Sequence, residues 1–156
     1  MSNVPSEVFR ISRVKYASDL TGTGARLHGG RWNSKGQSVL YTASSRALAA
    51  VELAVHLDLN DLPDDLIMTT LTLPESATML LLKSLPREWN RHPPSSASKK
   101  IGDDFLIENH HLALAVPSVV VDEDINYLLN PNHPLFAKVN IKRQVPFHFD
   151  PRLGQY

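Results

Sequence analysis

The chain has 156 residues, of which 42% are hydrophobic and 21% charged, a balance that suits one globular domain over residues 1–156 with a sizeable core. Sixteen Lys and Arg offset sixteen Asp and Glu, and no basic run stands out, so direct nucleic-acid binding and attraction to an anionic membrane have no electrostatic basis. The lack of cysteine excludes disulfides, thiolate metal ligands and a cysteine nucleophile; with neither a signal-peptide core nor an apolar run of spanning length, a cytoplasmic location is expected.

In chain order, VFRIS (8–12) reads as a short strand, and SVLYTA (38–43) as a strand with the continuous apolar character of a sheet interior. Ser44 and Ser45 are N-cap candidates for a helix that runs through RALAAVELAVHL to about residue 57, where DLNDLPDD supplies turn chemistry. Strands are expected over 66–74 and 77–82, then a loop at RHPPSSASKK (91–100) and a helix over 98–111. The tail reads as short strands, LALAV, SVVV, FAKVNI and VPFHF, punctuated by Pro117, Pro131, Pro134 and Pro146. Few helices and many short strands, in no βαβ alternation, predict an α+β domain with a mixed or mainly antiparallel sheet.

The first helix contains an anomaly. Apolar residues from Leu48 to Leu57 wrap almost every face, which predicts a helix surrounded by protein, yet Glu52 sits in its middle. A carboxylate on an apolar face needs a partner or a purpose, because desolvating an unpaired charge costs on the order of several kcal/mol. Two readings stay open: an ion pair with His56 or an arginine, and a carboxylate lining a cleft.

The glycine-rich segment TGTGARLHGGRWN fails both common phosphate-binding patterns, since Leu27 stands where a dinucleotide fingerprint needs its third glycine and no P-loop lysine follows. Arg31, next to a glycine pair, is either a salt-bridge residue or a local clamp for an anion that backbone glycines let approach. No serine lies in a nucleophile elbow. The histidines show no metal-ligand spacing, and adjacent His110 and His111 cannot share one face of a helix or strand, so no metal is expected. Ser118 is a turn residue after Pro117 or a hydroxyl presented at a strand start, and Tyr41 reads as a core residue with one hydrogen bond.

The order of GGRWNSKGQSVLYTASSRALAAVELAVH, VPSVVV, NYLLNPNHPLF and PFHFDPRL closely resembles the RES-domain family, the toxin half of a bacterial toxin–antitoxin type named for an Arg, a Glu and a Ser. The resemblance covers roughly residues 8–153 and places the Arg at Arg31, the Glu at Glu52 and the Ser at Ser118, with Tyr41 as the tyrosine of the strand before the helix. It implies a fold similar to ADP-ribosyltransferase toxins, with NAD+ as substrate rather than cofactor, held by Arg31, Tyr41, Ser118 and Asn126. It also implies an Xre-type helix-turn-helix antitoxin that blocks the active site. One departure is visible: DEDINYLLN follows VPSVVV where the family pattern has a proline nearer the strand end.

The chemistry of the residues agrees with what the resemblance implies. Nicotinamide in NAD+ is already a cationic leaving group, so cleavage of its ribosyl bond needs little proton donation. A carboxylate such as Glu52, in a partly water-excluded cleft, stabilises the positive charge that develops on the ribose. Arg31 is expected to clamp the pyrophosphate or a ribose oxygen, Tyr41 to pack on the nicotinamide ring, and Ser118 to hydrogen-bond the ribose or the amide. The expected activity is NAD+ hydrolysis or phosphorolysis; the alternatives are ADP-ribosyl transfer to a protein and a non-catalytic binding module.

Overall fold

In the computed structural model, which describes residues 4–154, β1 (Glu7–Arg13) leads through a 3-10 turn to α1 (Thr23–His28), β2 (Leu40–Ala43) and α2 (Arg46–Ala54). There follow β3 (Leu66–Thr72), β4 (Met79–Leu81), α3 (Ser96–Glu108), β5 (Ala113–Pro117), β6 (Ile125–Leu129) and β7 (Asn140–Phe147). Residues 1–3 and 155–156 of the expected domain lie outside the described residues. The strands form one mixed sheet in the order β4, β5, β6, β2, β1, β3, β7. All neighbours are antiparallel except β4 and β5, and that parallel pair requires a crossover, supplied by the loop after β4 and by α3. The fold thus contains one βαβ unit that the expected element pattern lacked, within the α+β class that it predicted.

Side-chain alternation along the strands divides the core in two. On one face, Val8, Leu40, Leu71, Ala113, Ala115 and Leu129 pack together. Their alternates Phe9, Tyr41, Ala43, Met68, Leu114, Val116 and Leu128 face the opposite way and meet the helices: α3 through Phe105 and Leu106, α2 through Leu48 and Ala49. Both long helices therefore cover the same side of the sheet.

Ser45 caps α2 as expected, its hydroxyl accepting from the Leu48 N–H at 3.0 Å. The helix ends at Ala54, three residues early, because its last turn tightens into His56 N–H to Leu53 and Leu57 N–H to Ala54 carbonyl bonds. Nor is it surrounded by protein. Val51 and Val55 are 39% and 58% exposed, since the sheet covers only the side that carries Leu48 and Ala49. Ser95 caps α3, which is shifted toward the N-terminus of the expected 98–111, and Asn109 closes it in the left-handed conformation.

The tail departs most from expectation. SVVV is a turn, not a strand, because the Ser118 hydroxyl accepts from the N–H groups of Val120 and Val121 and takes them out of any ladder. The strand of this region is β6, inside the segment DEDINYLLN. In FAKVNI, the stretch after Pro134 coils into a 3-10 turn that His133 caps through Nδ1, and β7 starts only at Asn140. β7 then runs through Pro146, which is tolerated because β7 is an edge strand.

One close approach joins α3 to the segment before β2. An ideal Cβ on Gly102 would lie 1.6 Å from the Trp32 carbonyl oxygen, so only glycine permits this helix to sit there. Gly102→Ala is expected to destabilise the protein by roughly 1–3 kcal/mol, as overpacking does. A lowered urea midpoint checks this, and an unchanged midpoint contradicts it.

Candidate active site

The carboxylate of Glu52 is held from outside its own helix. Its Oε1 accepts from the Ser118 hydroxyl at 2.6 Å and from the Asn126 amide at 2.7 Å, partners 66 and 74 residues away. Strand pairing makes this possible: β2 runs into α2, Ala43 at its end pairs with Asn126 of β6, and Asn126 pairs with Val116 of β5, just before Ser118. Ser118 already accepts two backbone N–H groups, so its single hydroxyl hydrogen is left to donate to Glu52. Both donors fall on one oxygen. Oε2 makes no hydrogen bond among the described residues, and no ion pair joins Glu52 to His56 or to an arginine there.

Glu52 lines a cavity of about 630 Å³, within the usual range of small-molecule sites. Tyr41 and Asn126 share that wall with it. Ser118 does not; it is 2% exposed and stands behind the carboxylate. Arg31 lies beside the cavity, not on its wall, with Nη1 donating to the carbonyls of Trp89 at 3.0 Å and Arg91 at 2.7 Å. Partial burial lowers its pKa, and the nearby Glu52 charge opposes that shift.

The motif around Arg31 is also a structural hub. Asn33, fully buried, donates from its amide to the carbonyls of Ala25 at 2.9 Å and Gln37 at 3.1 Å, while its Oδ1 accepts from the Tyr41 hydroxyl at 2.7 Å. The same hydroxyl accepts from the Trp32 N–H at 3.1 Å, and burial pushes the phenol pKa well above its ordinary value, so Tyr41 stays neutral. A Cβ on Gly30 would come within 2.7 Å of that hydroxyl. The room expected for a ligand at Gly30 is thus taken by Tyr41. Trp32 stacks on Trp89 with centroids 6.2 Å apart, and Asp103 of α3 accepts from the Ser34 N–H and hydroxyl. These contacts make Trp32 and Asn33 the braces of the loop before β2.

Sequence reasoning missed Arg10. It lies on central strand β1, lines the cavity, and donates from Nη1 to the Asp19 carbonyl at 3.1 Å. Burial lowers its pKa. In VFRIS it reads as the polar alternate of a half-exposed strand, and no signal in the sequence marks it otherwise, since the neighbours of β1 on both sides are set by the sheet order. The cavity therefore carries a carboxylate and a guanidinium, a charge pattern suited to a ligand with one cationic and one anionic part.

The chain as a whole is similar to known proteins. The model of the RES domain matches residues 7–150. The Toxin Res of Photorhabdus laumondii is 36% identical over 149 residues, covering 94% of this chain and 96% of that one. The Prs ADP-ribosylating toxin of Sphingobium sp. is 36% identical over 146 residues, covering 91% of each. In the crystal structure of the M. tuberculosis MbcT-MbcA toxin-antitoxin complex, one chain matches with a TM-score of 0.70 and 17% identity, over 97% of this chain and 88% of that one, a likeness of fold.

Tyr41→Phe removes a hydroxyl that serves both the Trp32 N–H and Asn33 Oδ1. Leaving such partners unsatisfied costs about 1–3 kcal/mol. Thermal unfolding is expected to show a lower midpoint, and a midpoint equal to that of the unchanged chain refutes the hub role.

Proposed function

The chain belongs to the RES-domain family, and from that premise we propose that it is a toxin that consumes NAD+ by cleaving the bond between nicotinamide and ribose. The observation that carries this reading is Glu52 on the cavity wall with both its hydrogen-bond donors on Oε1 and Oε2 left over. Two neutral donors fix the carboxylate without neutralising it, so its negative charge is available to the substrate.

In this mechanism the bonding pair of the C1′–N bond leaves with nicotinamide, which departs neutral. Positive charge spreads over C1′ and the ring oxygen of the ribose, next to Glu52, whose free oxygen also accepts a hydrogen bond from the 2′-hydroxyl. Water then adds to C1′ and releases a proton, leaving ADP-ribose; inorganic phosphate as acceptor leaves the 1″-phosphate instead. Arg31 and Arg10 are the cations for the pyrophosphate, and Tyr41 is a wall for the nicotinamide ring. Ser118 and Asn126 act through Glu52 as positioning residues. No cofactor or metal enters the scheme.

A partner antitoxin follows from the same reading: an Xre-type helix-turn-helix protein that occupies the cleft and withholds NAD+ from it. The fold neighbour, which comes from a toxin-antitoxin complex, supports an antitoxin partner as such. A second reading keeps the cleavage step and changes the acceptor. The Sphingobium relative is named an ADP-ribosylating toxin, which favours transfer of ADP-ribose to a protein side chain.

Purified protein without antitoxin is expected to release nicotinamide from NAD+. Glu52→Gln keeps the shape of the side chain and removes its charge, with an expected loss of at least about 10²-fold in turnover and no loss of fold. Undiminished turnover in that variant removes Glu52 from the mechanism, and a folded wild-type protein that releases nothing supports a binding module instead. Labelled NAD+ incubated with cell extract separates the acceptors: discrete labelled proteins indicate transfer, and NAD+ loss without them indicates hydrolysis or phosphorolysis.

A further inference from the structure

We propose that Trp89 is a positioning residue for Arg31: its ring anchors the loop between β4 and α3, and the loop's carbonyls set the direction of the Arg31 guanidinium. The proposal rests on the reading of Arg31 as an NAD+-binding residue.

A guanidinium has five N–H donors in a rigid fork, so fixing one nitrogen fixes the plane of the rest. Arg31 Nη1 is tied to the Trp89 and Arg91 carbonyls, while Nε and Nη2 make no hydrogen bond among the described residues. The backbone end of the residue is tied as well, since the Ser98 hydroxyl donates to the Arg31 carbonyl at 2.9 Å and Gly102 packs on the next peptide. An arginine held at both ends, with its remaining donors unused and half-buried, is arranged in advance for an anionic ligand.

The two carbonyls belong to a segment with no strand or helix of its own. Its turns close through Trp89 N–H to Pro86 and Arg91 N–H to Glu88 carbonyl bonds, and such local bonds do not tie it to the rest of the molecule. At the two carbonyls the tie is the Trp89 ring, stacked on buried Trp32 at an interplanar angle of 24° and packed, with Leu82 at the start of the segment, against the cluster that holds Phe105 and Leu114. Without the ring the carbonyls lose their station, and Arg31 loses its direction.

Glu52 is held by a separate set of hydrogen bonds, from Ser118 and Asn126, which share no residue with those of the Arg31 guanidinium. Loss of the Trp89 ring therefore weakens NAD+ binding and leaves bond cleavage intact.

The test uses the full chain with NAD+ and follows nicotinamide release for Trp89→Leu, Trp89→Phe, Arg31→Ala and the double variant Trp89→Leu with Arg31→Ala, each checked for fold by circular dichroism. Trp89→Leu is expected to raise KM about fivefold or more with kcat within about twofold, and Trp89→Phe to restore KM. In the Arg31→Ala background the Trp89 substitution is expected to add nothing, because its effect passes through the missing side chain. If the leucine variant does not fold, Trp89→Met gives the same readout with a second ring-free side chain. A fall in kcat alone, an unchanged KM, or effects that multiply in the double variant overturn the proposal while the Arg31 reading stands. An Arg31→Ala variant with the KM of the wild type overturns that reading, and this proposal with it.

Discussion

Two donors on one carboxylate oxygen are the interaction on which this molecule turns. The Ser118 hydroxyl and the Asn126 amide reach Glu52 Oε1 only if β5, β6 and β2 stand side by side in a single register, and only if α2 starts immediately after β2. A one-residue slip of β6 would turn Asn126 to the other face of the sheet. The carboxylate would then be half-buried with one fewer donor, at a cost that the sheet's own hydrogen bonds do not offset. Sheet register and site geometry are thus one constraint. The two neutral donors matter as much as their placement, since a lysine or arginine in their stead would cancel the charge that the cavity presents.

The second network shares β2 with the first but none of its hydrogen bonds. Asn33, Tyr41 and Trp32 knit the turn before β2 to the strand itself, α3 closes over that turn through Ser98, Gly102 and Asp103, and the loop after β4 takes the Arg31 guanidinium. The parallel β4 and β5 pair is what brings this loop over the motif, because a parallel neighbour demands a crossover and the crossover must pass on the covered face. One half of the site therefore holds an anion and the other a cation. The proposed substrate, NAD+, has its cationic nicotinamide and anionic pyrophosphate several bonds apart, which is the chemical reason for reading the two halves as one site.

Much of the first half was legible from the residues alone. Glu52 stood out because a carboxylate interrupts an otherwise apolar helix, and Ser45 marked the start of that helix. Its surroundings were misread: alanines make a helix look apolar on every side while demanding little cover, so Val51 and Val55 meet solvent. SVVV has the composition of a strand, but a serine hydroxyl that captures the two following N–H groups overrides β-branched preference, and the strand falls instead on the more polar INYLL. Arg10 escaped notice because an alternating strand is expected to show a polar residue to water, and nothing local says that β1 will have neighbours on both sides.

The sequence by itself determined the α+β class, the cap of α2 and the family, and it singled out Arg31, Tyr41, Glu52, Ser118 and Asn126 as candidates, because these depend on local chemistry and on ordered motifs along the chain. Only the tertiary structure decided that Ser118 stands behind Glu52, that Gly30 makes room for a tyrosine hydroxyl, and that the Arg31 guanidinium donates to carbonyls 58 and 60 residues away. The physical reason is that a hydrogen-bond partner is chosen by distance and direction in space, and residues separated by so much chain acquire both only when the sheet has set its register.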